Sequence, residues 1–169
     1  YHQSINSKLG SYRNQIEILF NKGLYKQCEK ILLRAKQLAV RYDYGLPLID
    51  FLRWEITLMR AQSYMGKTEK EVSKVFTDLF RTLDKYKIEN KYSLVSSKLF
   101  VKNIQKGFPR NKEELQEYRD VLNHNIKKEA SSYIARHADY YSKMFFAYIN
   151  NDYQSAYDYA QRCIQLIED

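Results

Sequence analysis

The sequence predicts an all-α protein, an α-α stack of about four antiparallel helix pairs, and three observations predict it. Apolar residues recur at three- and four-residue spacing nearly throughout, as on one face of a helix with about 3.6 residues per turn. No stretch alternates apolar and polar residues for long enough to make a strand. Gly occurs 5 times and Pro 2 times in 169 residues, too few turn formers for a β-rich fold or a long linker.

The elements follow in order. Ile16, Leu19 and Phe20 mark the first apolar face; Gly23 interrupts that helix and the chain restarts at Leu24. Cys28, Ile31, Leu32, Ala35, Leu38 and Ala39 form the second face. Gly45 and Pro47 mark the next junction, with Pro47 tolerated in a first helical turn. Ile49, Leu52, Ile56 and Met59 line the third helix, which Gly66 closes; Arg60 falls near one of its packing positions. Thr68 with Glu71 three residues on is a capping box, and it opens the helix of Val72, Val75, Phe76, Leu79 and Leu83. Gly107 and Pro109 break the fifth helix. Asn111 and Glu114 repeat the cap-plus-acid spacing, and Asn151 or Asp152 punctuates the last pair. The expectation is about eight helices.

A period runs through them. Cys28, Val72, Leu115 and Ala156 stand at steps of 44, 43 and 41, and Ala35, Leu79, Leu122 and Cys163 keep the same steps. A helix pair buries only part of its apolar face alone, and stacking on the next pair completes the burial. The reading is one helical-repeat domain over 1–169, with units at about 5–45, 46–88, 89–129 and 130–169. No Pro/Gly/Ser-rich stretch divides them. The chain opens on Tyr1 rather than Met, and the expectation is an excerpt of a larger protein.

The first and last units resemble tetratricopeptide repeats. Tyr12, Tyr25, Cys28, Ala35 and Leu38 match that motif in the first unit, and Tyr140, Tyr153, Ala156, Cys163 and Leu166 in the last. The small residues let helices approach to the ~8–10 Å of tight packing. Ile16 and Met144 stand where the motif prefers Gly or Ala, and the middle units match only in apolar register. The period also exceeds the ~34 residues usual for the family. The stretch from Ile16 to Glu55 is similar to a bacterial group of helical-repeat proteins, a likeness that implies no activity. The resemblance implies a right-handed superhelical stack, a tetratricopeptide-like solenoid, whose leading helices line a concave groove.

Reactive chemistry has little to stand on. His2, His124 and His137 are not at helical ligand spacing, so no metal is expected. Acidic pairs such as Glu113 and Glu114 are explained by the first turn of a helix, where carboxylates are favoured. There is no phosphate-binding glycine loop and no nucleophile elbow. The expectation is not an enzyme, with no cofactor. Cys28 and Cys163 occupy small packing positions about three repeat steps apart, too far for a disulfide within one molecule. So few cysteines suggest a reducing, cytoplasmic setting. No apolar run reaches the ~20 residues a membrane helix needs.

The function class is therefore a protein-interaction scaffold that holds a partner protein or peptide segment in its groove. By repeat register the inward positions include Arg13, Glu17, Tyr64, Phe100, Tyr141, Phe145 and Tyr148, with Lys98 and Lys102 near them. Trp54 is a second candidate anchor, because Trp is enriched in binding hot spots. The candidate partner-binding set is Arg13, Trp54, Tyr64, Lys98, Lys102, Tyr141 and Tyr148. Some members of the family grip a terminal carboxylate with Lys and Asn one turn apart. The corresponding pairs here, Arg13 with Glu17 and Tyr141 with Phe145 among them, form no such clamp, which favours an aromatic groove. The alternative is nucleic acid. The formal charge is +8, net +5 over residues 1–45 and net −2 over 130–169, and 16 tyrosines offer stacking surfaces. A third expectation is self-association through an uncapped C-terminal helix, by Tyr157, Ala160 and Ile164.

Overall fold

The computed structural model describes residues 2–123 and 129–168. It is all-helical, with seven helices among the described residues: α1 (His2–Asn21), α2 (Tyr25–Arg41), α3 (Gly45–Ala61), α4 (Glu69–Lys106), α5 (Lys112–Leu122), α6 (Tyr133–Ile149) and α7 (Tyr153–Glu168). Consecutive helices pack against each other: α1 on α2, α2 on α3, α5 on α6 and α6 on α7. The chain forms two compact units, one up to Tyr86 and one from Lys87 onward, and α4 belongs to both.

The difference from the expected eight helices lies in α4. The repeat register places a junction near residue 88, but nothing between Glu69 and Lys106 is Gly or Pro, and one helix of 38 residues runs through. Its start is the expected capping box. Glu71 N–H donates to Thr68 Oγ1 at 3.2 Å, and Thr68 N–H donates to Glu71 Oε2 at 2.7 Å. These bonds to Thr68 hold the Glu71 carboxyl below its usual range. Its end is Gly107, at φ +73°.

Four other helices end alike. Past α1, α2, α3 and α6 an amide donates five residues back, each at 2.9 Å: Leu24 to Leu19, Tyr44 to Ala39, Tyr64 to Met59 and Asp152 to Ala147. This Schellman closure needs a left-handed residue just before the donor. Gly23, Asp43, Ser63 and Asn151 supply it, at φ +69°, +56°, +51° and +59°. Gly45 and Pro47 thus stand in the first turn of α3, and Asp43 supplies the left-handed residue of that junction. Likewise α3 ends at Ala61, and Gly66 lies in the following turn.

Within the first unit, α2 presents a stripe of small residues. Cys28, Ala35 and Ala39 are fully buried, together with Leu32, against Ile5, Leu9 and Ile16 of α1 and Phe51 and Leu58 of α3. Cys28 Sγ lies 3.6 Å from the Ile16 carbonyl as a weak donor, and burial raises its thiol above the ordinary value. A second cluster joins Ile49, Leu52, Ile56 and Met59 to Val75 and Leu79 of α4. Arg60 stays exposed, because those four apolar residues set the phase of α3. In the second unit Val95, Leu99, Tyr118 and Ile149 form a core cluster, and Ala135, Ala138, Ala147, Ala156 and Leu166 are buried as well. Tyr118 is buried, and its hydroxyl donates to the Gly107 carbonyl at 2.7 Å.

Candidate functional site

Each unit carries an open groove between helices that the repeat register makes leading helices. In the second unit it lies between α4 and α6, with a volume of about 450 Å³. Serines 93, 96 and 97 of α4 form one wall, and Tyr133, His137 and Tyr141 of α6 form the other. The three rings stand at i, i+4 and i+8 on one helix face. Tyr133 stacks on His137 at 6.1 Å and His137 on Tyr141 at 6.4 Å, nearly parallel. Two things fix the ladder. Ser132 caps α6 by accepting from the Ala135 amide at 3.1 Å, and Ala135, Ala138 and Ser142 are buried on the other face. The groove thus combines an aromatic wall with hydroxyl groups, the mixture that recognition sites use for contact area and orientation.

A separate aromatic group lies beyond the groove. Tyr148 is half exposed and meets Phe108 at 5.8 Å and Tyr153 at 6.1 Å, both edge-on. On α4, Phe100, Val101 and Ile104 expose apolar surface, and Lys98 is exposed beside them. Lys102 is committed elsewhere. It donates to Glu117 Oε2 at 2.6 Å and lies 5.3 Å from the centroid of the Tyr118 ring. Lys106 also reaches Glu117, at 2.9 Å, and the two ammonium groups hold that carboxyl down to about 2.

In the first unit a smaller groove of about 260 Å³ lies between α1 and α3, lined by Leu9, Arg13, Leu46, Pro47, Asp50 and Phe51 among others. Arg13 stands at its edge, half exposed, and pairs with Asp50 at 3.3 Å and Glu17 at 3.5 Å. Trp54 is packed rather than presented: it is part-buried against the core and meets Phe20 edge-on at 5.5 Å. Tyr64 is corrected from an inward helix position to the loop after α3, where φ is +58°. The helix stops at Ala61, so the register that pointed Tyr64 inward ends three residues early.

Of the seven candidates, then, Tyr141 lies in the larger groove with Lys98 and Tyr148 on the helices that form it, and Arg13 lies in the smaller one. Sequence reasoning missed Tyr133 and the three serines. The Tyr133–His137–Tyr141 spacing is legible as an i, i+4, i+8 run, but the repeat register counts only Tyr141 of the three among the inward positions. His124 lies outside the described residues. Among the described residues no group of three or more His, Cys, Asp or Glu side chains is placed to hold a metal, and Cys28 and Cys163 are free thiols. No described helix is long and apolar enough to cross a membrane.

No family model matches the sequence, and comparison with curated proteins and with solved structures returns no match.

Proposed function

We propose that this chain is a tetratricopeptide-like scaffold without catalytic activity of its own, which holds a segment of a partner protein in the groove between α4 and α6. The observation that carries the reading is the Tyr133–His137–Tyr141 ladder facing three serines across an open groove. Rigid rings with few torsions supply contact area at small entropic cost, and hydroxyls supply orientation. The nucleic-acid alternative leans on the basic N-terminal half. There Arg13, Lys36, Lys67 and Lys85 are paired with Asp50, Glu55, Glu29 and Asp43, which leaves fewer cations for phosphates.

The test places a photo-crosslinking residue at His137, in native host lysate, with Lys30 on the exposed side of α2 as control. A discrete protein adduct at His137 alone, unchanged by nuclease, is the expected result. An adduct that disappears on nuclease treatment puts nucleic acid first, and equal adducts at both positions remove the groove from consideration. Once the partner is identified, Tyr141→Ala is expected to weaken it by about 10-fold or more, a loss typical of aromatic hot spots.

A further inference from the structure

We propose that the exposed face of α2 docks on an anionic lipid surface. Eight residues of that helix are exposed, and four of them are cations: Lys26, Lys30, Arg34 and Arg41. None of the eight is acidic. Leu33 and Val40 are apolar, at 54% and 62% exposed, and the other two are glutamines. The opposite face is fixed in the core by Cys28, Leu32, Ala35 and Ala39, so the basic face is held outward.

The row of cations is not neutralised from within the fold. Three acids border α2, and each is held by a cation outside the row: Glu29 by Lys67 at 3.5 Å, Glu55 by Lys36, and Asp43 by Lys85. Among the described residues the four make no ion pair, and Arg41 lies over the ring of its neighbour Tyr42, 5.6 Å from the centroid. The exposed side of α4 before Tyr86 is balanced by contrast, with Glu69, Glu71 and Asp84 beside Lys70, Lys74 and Arg81. Like charges at i, i+4, such as Lys26, Lys30 and Arg34, weaken a helix, and an anionic surface offsets that repulsion.

Three features favour lipid over other polyanions. The row is straight and spans about 22 Å along the axis, which suits a plane. Lipids diffuse to each cation, and each Lys or Arg near such a surface contributes separately, so one helix face suffices where a protein partner needs ~800 Å². Second, the aliphatic side chains of Leu33 and Val40 can enter the boundary between headgroups and acyl chains, whereas a phosphodiester backbone offers them no partner. Third, single-stranded nucleic acid is held by stacking on rings, and none of the eight exposed residues is aromatic.

Co-sedimentation of the 169-residue chain with vesicles is the test. The vesicles are phosphatidylcholine alone or with about 30% phosphatidylserine, at ~0.1 M and ~0.5 M salt. Binding is expected only with the anionic vesicles and only at the lower salt. Lys30→Gln with Arg34→Gln is expected to weaken it about 25-fold, about 5-fold for each cation. Lys26→Gln with Arg41→Gln repeats the test at the two ends of the row, should the first pair disturb the fold. Leu33→Gln with Val40→Gln keeps the charge and is expected to weaken binding at least ~3-fold. Arg53→Gln with Arg60→Gln removes the same charge from the exposed side of α3 and is expected to change it less than ~2-fold. The proposal is overturned by absence of binding to anionic vesicles, by equal weakening from the α3 pair, or by indifference to the charge pairs or the aliphatic pair of α2. Tighter binding to a ~20-base-pair DNA duplex at the same salt also overturns it and assigns the row to nucleic acid.

Discussion

At the residue scale, the four Schellman closures put different side chains into one backbone conformation, and that makes their cost separable. Gly23 accepts φ +69° without strain, and a Cβ built on it meets nothing within 4 Å. Gly23→Ala is therefore a pure backbone test, expected to cost about 1 kcal/mol and lower Tm by about 2–4 °C in a thermal melt. Ser63→Gly relieves a left-handed non-glycine at φ +51° and is expected to raise Tm by a similar amount. The four positions also show why some junctions were legible in the sequence and others displaced. Gly23 and Asn151 are residue types that advertise a left-handed stop; Asp43 and Ser63 adopt the same conformation under the demand of the hydrogen bond. Gly45 marks its junction from the far side, as the first residue of α3, whereas Gly66 drew the end of α3 too late, since the helix stops at Ala61. Glu117 gives the pH counterpart. Hydrogen bonds from Lys102 first and Lys106 second depress its carboxyl from 4.5 to about 2. A depressed folded value stabilises the folded chain above the unfolded value and is lost as pH falls from about 4.5 toward about 2. Carboxyl chemical shifts are expected to show that low midpoint, and Lys102→Ala to move it upward.

At the element scale, caps decide where helices begin, and two different caps were read with different success. Thr68 was legible because Glu71 completes the box. Ser132 was not, since Ala135 stands where an acid would have marked it, yet it is the more deeply buried cap at 1% exposed. Ser132→Ala leaves the Ala135 amide without its acceptor in a site that excludes water. The expected cost is about 1–2 kcal/mol, read by denaturant melt, with loss of the ladder that starts at Tyr133. The long α4 is the element that repeat register read least well. An apolar period fixes which face is buried but carries no instruction to stop, and the stretch Asp84 to Tyr92 holds no residue that breaks a helix. Lys87→Pro removes one rung of that helix and is expected to cost about 3 kcal/mol or more, with a loss of helical dichroism. A short loop at this position would instead absorb the proline with little change.

At the scale of the whole molecule, each unit has a core of its own, and both bury small residues beside large ones. The first closes on a stripe in which Cys28, Ala35 and Ala39 are each 0% exposed between larger neighbours on α1 and α3. The second closes on Tyr118 with Val95, Leu99 and Ile149, and on small residues of α6 and α7, Ala135, Ala138, Ala147 and Ala156. The apolar register that joins Ala35 to Leu79, Leu122 and Cys163 is thus one pattern with graded burial, complete at Ala35 and partial at Leu122 and Cys163. It is strict where small residues are enclosed and tolerant where Cys163 remains part-exposed. Enlarging the strict position separates them. Ala35→Leu forces a branched side chain into a closed contact and is expected to cost about 1–3 kcal/mol. Native-state hydrogen exchange reads where that loss falls. Amides of α1 to α3 and of α4 before Tyr86 are expected to exchange faster, while those of α6 and α7 keep their protection. Cys163→Leu, the matching change in the last helix, falls at a part-exposed position and is expected to shift stability by less than half as much. Equal acceleration in every helix after Ala35→Leu would instead mark the chain as one cooperative block, with α4 carrying the loss from one core to the other.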